Sequence, residues 1–174
     1  MSTLRATPPS AAGSAARIDP RGPQFAAGLT SVVLAGVLLL APRPLGMALL
    51  AAQVVVFAIG AGWGVQRTPY ARLFKTLVRP RLGAPGELED AAPPRFAQGV
   101  GLAFGLVALA GFLAGADLVG LVATGFALTA ALLNAVFRFC LGCELYLILA
   151  RWSSASSRWS SAKSRGSSLS RPRT

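Results

Sequence analysis

The 174-residue chain is 53% hydrophobic and only 13% charged, with a mean hydropathy of +0.57, which is too apolar for an ordinary soluble domain. Histidine is absent, so Ser–His and Cys–His catalysis and imidazole metal ligation are excluded. Lys and Arg number 17 against 6 Asp and Glu, and because they lie outside the apolar runs this is the excess of loops facing an anionic leaflet, with no nucleic-acid partner expected.

Residues 1–19 are rich in Ala, Ser and Pro without periodicity, and are expected to be a disordered tail. The first apolar run, over 24–41, has a long charged leader and is followed by Pro42-Arg43-Pro44 with no small-x-small cleavage site, so it reads as an uncleaved membrane helix. A second run, over 45–64, follows at once, and the prolines between them mark a hairpin. Two more runs, over 96–116 and 118–150, are separated only by Asp117 and its neighbours and form a second hairpin. Each is long enough for the ~20 residues that cross a bilayer core.

The hairpins resemble one another. Pro23-Gln24-Phe25-Ala26-Ala27-Gly28-Leu29 recurs as Pro94-Arg95-Phe96-Ala97-Gln98-Gly99-Val100, each copy opening a hairpin, which predicts parallel repeats about an axis along the membrane normal. The expected fold is therefore all-α and polytopic, with four transmembrane helices in two hairpins. The pairs Gly60/Gly64, Gly101/Gly105 and Gly111/Gly115 are small-xxx-small positions that suit close helix packing within the bundle or between copies. Gln53 and Asn134 are expected to hydrogen-bond to neighbouring helices. No ionisable residue falls mid-membrane, within 25–41, 45–64, 96–116 or 118–137, Arg43 and Asp117 lying in the turns outside them, which argues against a proton-coupled pump.

Between the hairpins, Thr68-Pro69 is a helix cap followed by proline at the first helical position. Tyr70, Leu73, Phe74, Leu77 and Val78 then fall on one face, with Arg72, Lys75 and Arg79 on the other, until Pro80. This predicts an interfacial amphipathic helix over 69–79, followed by a polar linker carrying Glu87, Glu89 and Asp90. After the fourth run, residues 152–174 are Ser- and Arg-rich and are expected to be disordered. Sixteen of the 17 basic residues lie in the tails, the connector or the end of the fourth run, and only Arg43 lies at the opposite end. The positive-inside rule then puts both termini in the cytoplasm, and the Ala-, Gly-, Pro- and Arg-rich composition suggests the inner membrane of a GC-rich bacterium.

The single chemical motif is Cys140-Leu141-Gly142-Cys143-Glu144. These are the chain's 2 cysteines, and on the cytoplasmic side a permanent disulfide is unexpected, so the pair reads as a dithiol that cycles, carries sulfur or binds a soft metal such as Cu, Zn or Hg. On a continuous helix Cys140, Cys143, Glu144, Leu147 and Arg151 share a face, Arg138 points away, and the thiols sit at the unfavourable C-terminal end of the macrodipole. Cys140 and Cys143 are thus the candidate exchanging or metal-binding residues, and Glu144 the candidate proton-exchanging group. Inert, packed cysteines in a membrane scaffold are the bland alternative.

Asp19-Pro20-Arg21, Pro94-Arg95-Phe96-Ala97-Gln98 and the stretch Phe139 to Tyr146 resemble an uncharacterised bacterial family of small four-helix membrane proteins, a domain of unknown function. The likeness covers roughly Ile18 to Arg151. It implies thiol or sulfur traffic with a cytoplasmic thioredoxin-like or sulfurtransferase partner. More distantly the plan looks like the quinone-linked thiol oxidoreductases of membranes, from which it departs in lacking a second cysteine pair and in its cytoplasmic motif. No cofactor is required by the sequence; a quinone or a soft metal would be compatible, as would a homo-oligomer.

Overall fold

A computed structural model describes residues 16–83, 85 and 87–152. The two tails expected to be disordered lie, apart from their innermost residues, outside the described residues. Among the described residues, four helices are long and apolar enough to cross a membrane: α1 (Arg21–Leu40), α2 (Pro44–Trp63), α4 (Ala92–Leu113) and α5 (Asp117–Phe137). The chain is an all-α polytopic membrane protein. α1 packs on α2 and α5, and α4 packs on the same two helices, so the four run up and down around a closed ring in chain order. The turn between α1 and α2 passes through a cis Ala41–Pro42 bond, and that between α4 and α5 through Gly115, at φ 72°.

Small residues set the helix contacts. A Cβ at Gly101 or Gly105 would meet Phe57 and Val54 of α2 at 2.8 and 2.9 Å, and one at Gly111 would meet the backbone of Gly120 in α5 at 2.8 Å. A Cβ at Gly60 would press on Gln98 at 2.8 Å. These glycines therefore bring helices of one chain together, as small interfacial residues do in lipid. The packed centre holds Val37, Leu50, Ala108, Phe112 and Ala123. Most other large apolar side chains, including Leu39, Val55, Leu118 and Phe126, are exposed on the outside of the ring, as a lipid-facing surface requires.

The repeat seen in the sequence extends further in space. Asp19 and Asp90, at the same spacing as Pro23 and Pro94, each accept a hydrogen bond through Oδ1 from the backbone two residues on, Arg21 N (3.0 Å) and Ala92 N (2.9 Å). Just before them β1 (Arg17–Ile18) pairs antiparallel with β2 (Glu89–Asp90), Ile18 opposite Glu89. Those two residues are themselves repeat equivalents, so the pseudo-twofold axis passes between them. Gln24 of α1 donates from Nε2 to Ala135 O near the end of α5 (3.0 Å). Its counterpart Arg95 of α4 donates from Nε and Nη2 to Ala61 O and Gly62 O near the end of α2 (2.7 Å each). Each hairpin thus caps the orphan carbonyls of the other.

The connector forms a short helix, α3 (Pro69–Leu73), continuing through a π turn (Phe74–Val78) and a 3₁₀ turn (Arg79–Arg81). Thr68 is its N-cap, Oγ1 accepting from Ala71 N at 3.2 Å. The expected apolar face divides, with Leu73 and Leu77 exposed and Tyr70 and Phe74 turned onto the bundle. Phe74 is 4% exposed, its ring packed at a tilt against Phe25 with centroids 5.7 Å apart. Tyr70 reaches between the helices and donates its hydroxyl to Gln53 Oε1 (2.8 Å), while Gln53 Nε2 donates to Thr30 Oγ1 (3.4 Å). Gln53 is 1% exposed, and these bonds satisfy a polar group that would otherwise be costly in an apolar interior. Burial raises the Tyr70 pKa above that of a free phenol. Asn134, expected to make a similar interhelical bond, makes no side-chain hydrogen bond among the described residues; it lies in the last turn of α5, half-buried near the helix end.

Candidate functional site at the Cys-x-x-Cys turn

The continuous helix expected over 118–150 is in fact two. α5 stops at Phe137, residues 138–140 are non-helical, and a new helix, α6, runs over 141–152. Arg138 is the stop: its φ of 57° is left-handed, a conformation costing an L-residue about 1–2 kcal/mol. Its N–H donates back to Asn134 O (3.1 Å) and that of Phe139 to Leu133 O (3.3 Å), the wrap-back that satisfies the end of a helix.

The break reverses the electrostatics of the motif. Cys140 is not late in a long helix but at the N-cap of α6, its Sγ accepting a hydrogen bond from Cys143 N at 3.3 Å. The bond is the counterpart of that from Ala71 N to Thr68 Oγ1. The positive end of the α6 dipole and its free N–H groups face the sulfur, the setting that stabilises a thiolate. The two cysteines are joined as a disulfide with their Cα atoms 5.1 Å apart, and both are half-buried. Glu144 is exposed in the first turn of α6, its N–H donating to Cys140 O (3.0 Å). A carboxylate there suits the dipole; its side chain bonds to neither sulfur among the described residues. The face expected to unite Cys140 with Leu147 and Arg151 does not exist as one helical stripe, because Cys140 precedes the helix.

α6 is seated on α4. A Cβ at Gly142, between the cysteines, would lie 2.6 Å from Ala97 Cβ and 2.7 Å from Ala97 Cα, so only glycine permits this approach. One turn on, Tyr146 packs at a tilt against Phe96 with centroids 5.8 Å apart, as Phe74 packs against Phe25 in the first hairpin. The correspondences Thr68/Cys140, Ala71/Cys143 and Phe74/Tyr146 keep one spacing, a single residue longer than that of the hairpins. Extending the repeat past its opening heptad would have exposed this cap in the sequence.

For a metal, the cysteine pair supplies two sulfur donors, and no group of three or more Cys, Asp or Glu able to hold an ion occurs among the described residues. Tyr146, one turn beyond Cys143, helps to bound an open apolar groove of about 570 Å³ whose other walls include Ala61, Arg95, Phe96, Gly99 and Ala103.

The model of a family described as Domain of unknown function (DUF4395) matches residues 18–151. No curated protein and no solved structure matches the chain.

Proposed function

The chain belongs to the DUF4395 family, and from that premise we propose that this member is a membrane-embedded dithiol–disulfide exchanger, with Cys140 as the exchanging sulfur and Cys143 as its resolving partner. The observation that carries the reading is the N-cap position of Cys140, whose sulfur accepts the Cys143 N–H at the start of the helix that runs over 141–152 among the described residues. A sulfur so placed is a good leaving and attacking group. A partner thiolate attacks Cys140 Sγ, the Cys140–Cys143 bond breaks and Cys143 leaves as thiolate. The partner's second thiolate then attacks its own mixed-disulfide sulfur and releases Cys140. The partner loses two electrons and its two protons, and the pair becomes a dithiol. Glu144 is the nearby group able to take up or return a proton at this surface.

The charge distribution supports a cytoplasmic position for this end of the bundle. Arg21, Arg67, Arg72, Lys75, Arg79, Arg81, Arg95 and Arg138 lie at the Cys end, and Arg43 lies in the opposite turn. The partner would then be a cytoplasmic dithiol protein of the thioredoxin-like or sulfurtransferase kind. Loading the motif with a soft metal is the second chemistry open to two thiolates, but the α6 N-terminus favours exchange by activating one sulfur over the other.

The test is capture. In inverted membrane vesicles Cys143→Ser should accumulate a mixed disulfide through Cys140, and Cys140→Ser should not. After reduction, Cys140 should alkylate at neutral pH severalfold faster than Cys143. Thiols that react only after denaturation would return the cysteines to packing, and labelling confined to the opposite face of the membrane would reverse the orientation.

A further inference from the structure

Resting on that reading, we propose that the groove beside α6 takes a membrane-soluble quinone, to which the reduced Cys140–Cys143 pair passes its electrons. The chain holds 2 cysteines, so no second thiol pair exists within it to relay electrons onward. An acceptor must come to the pair itself.

The groove is at the right place. It follows α4 from Ala92 to Ala103, about 16 Å at 1.5 Å per residue. Its wall nearest the motif is Tyr146, one helical turn beyond Cys143 and on the same side of α6. Gly142 rests on Ala97, so the disulfide and the groove share the first turns of α4. The pseudo-twofold axis provides an internal control. At the equivalent place in the first hairpin Phe74 is 4% exposed and packs closely above Gly22 and Phe25. Its counterpart Tyr146 is only half-buried and leaves the space open. Of two equivalent sites, the open one is walled by Tyr146, one helical turn beyond Cys143.

The lining selects the occupant. Gly99, Val100 and Ala103 offer a smooth apolar track into the bilayer, which suits an isoprenoid tail. At the boundary end Arg95 uses Nε and Nη2 on the carbonyls of Ala61 and Gly62, and Nη1 makes no hydrogen bond among the described residues. A cationic donor at that point complements a carbonyl oxygen, and more strongly the oxyanion that develops as a quinone is reduced. Phe96 and Tyr146 provide aromatic surface for its ring. The reaction balances: the two thiols give two electrons and two protons to the two quinone oxygens, a sulfur–sulfur bond forms, and quinol leaves.

The experiment uses the full chain in lipid nanodiscs, reduced and freed of reductant, with a short-chain benzoquinone as the probe. Thiol loss is followed by alkylation mass shift and quinone loss by ultraviolet absorbance. Wild-type protein should lose two thiols per quinone consumed, with a rate that saturates. Gly99→Leu adds its side chain to the groove lining from a position where a Cβ meets nothing within 4 Å. It should slow quinone-driven oxidation at least tenfold while oxidation by glutathione disulfide is unchanged. Equal quinone rates in the two proteins, or saturable quinone consumption by a Cys140→Ser/Cys143→Ser protein, would overturn the groove. Loss of glutathione exchange in the wild type would instead overturn the exchanger reading on which it rests.

Discussion

The two halves of the bundle are built to one plan and finished differently. In each, an aspartate opens the first helix, a phenylalanine one turn on receives an aromatic ring from the helix that follows the hairpin, and an N-cap side chain accepts the N–H three residues later. In the first half the cap is Thr68, 3% exposed, and the helix behind it is fastened by the Tyr70–Gln53–Thr30 hydrogen bonds. In the second half Cys140 takes the place of Thr68 and Gly142 that of Tyr70, while Gly101 stands where Thr30 does. The Tyr–Gln–Thr lock has no counterpart there, and α6 is seated by the Gly142–Ala97 contact and the Phe96–Tyr146 pair of rings. The difference teaches that the same helix start serves as a structural cap when its oxygen is buried and as a candidate chemical site when a sulfur replaces it and the fastening is removed.

The sharpest way to break the comparison is to disturb the seat of α6. Gly142→Val drives a branched side chain into Ala97, and overpacking of this kind costs about 1–3 kcal/mol. Hydrogen exchange should then show α6 opening while α3 keeps its protection. Next comes the lock of the first half: Gln53→Leu strands the Tyr70 hydroxyl, at about 1–3 kcal/mol, and should lower the detergent melting temperature without changing thiol reactivity. The raised Tyr70 pKa gives this bond a pH signature. Its contribution is full below the ordinary phenol pKa of ~10 and is lost as pH rises through the higher folded value, so the wild-type advantage over Tyr70→Phe should shrink only in strong alkali. Thr68→Ala should cost about 1 kcal/mol through the lost cap. Smallest, Gly28→Ala meets nothing within 4 Å and should be neutral or gain up to about 1 kcal/mol of helix propensity.

Much of this was legible in the sequence. Four spans, two hairpins and the parallel repeat follow from apolar run length and from the doubled Pro-x-Phe opening, because in a bilayer every backbone group must close within a helix. The connector's cap was legible too, since Thr68-Pro69 carries its own signal. The end of α5 was not. From Phe137 to Arg151 the apolar residues keep helical spacing, and the one glycine in that stretch, Gly142, lies inside the new helix and not at the stop. Arg138 takes a left-handed conformation that its side chain does not advertise. With the break went the location of Cys140 and the sign of the dipole acting on it. Nor could the sequence say that glycines 101, 105 and 111 meet partners in their own chain, since lipid and helix offer the same apolar contact from outside.

The reciprocal bonds from Gln24 and Arg95 bear on how the protein is made. When the ribosome has delivered only the first hairpin, the carbonyls of Ala61 and Gly62 lack their protein donor, since Arg95 is not yet synthesised. When the second hairpin arrives, Gln24 already awaits the carbonyl of Ala135. The first half is therefore expected to stay open at its exit until translation passes α4, whereas the second closes as it emerges. Crosslinking of stalled chains of increasing length should place the first hairpin's final tightening just after Arg95 leaves the insertion machinery, so that the half bearing the cysteines completes the half that lacks them.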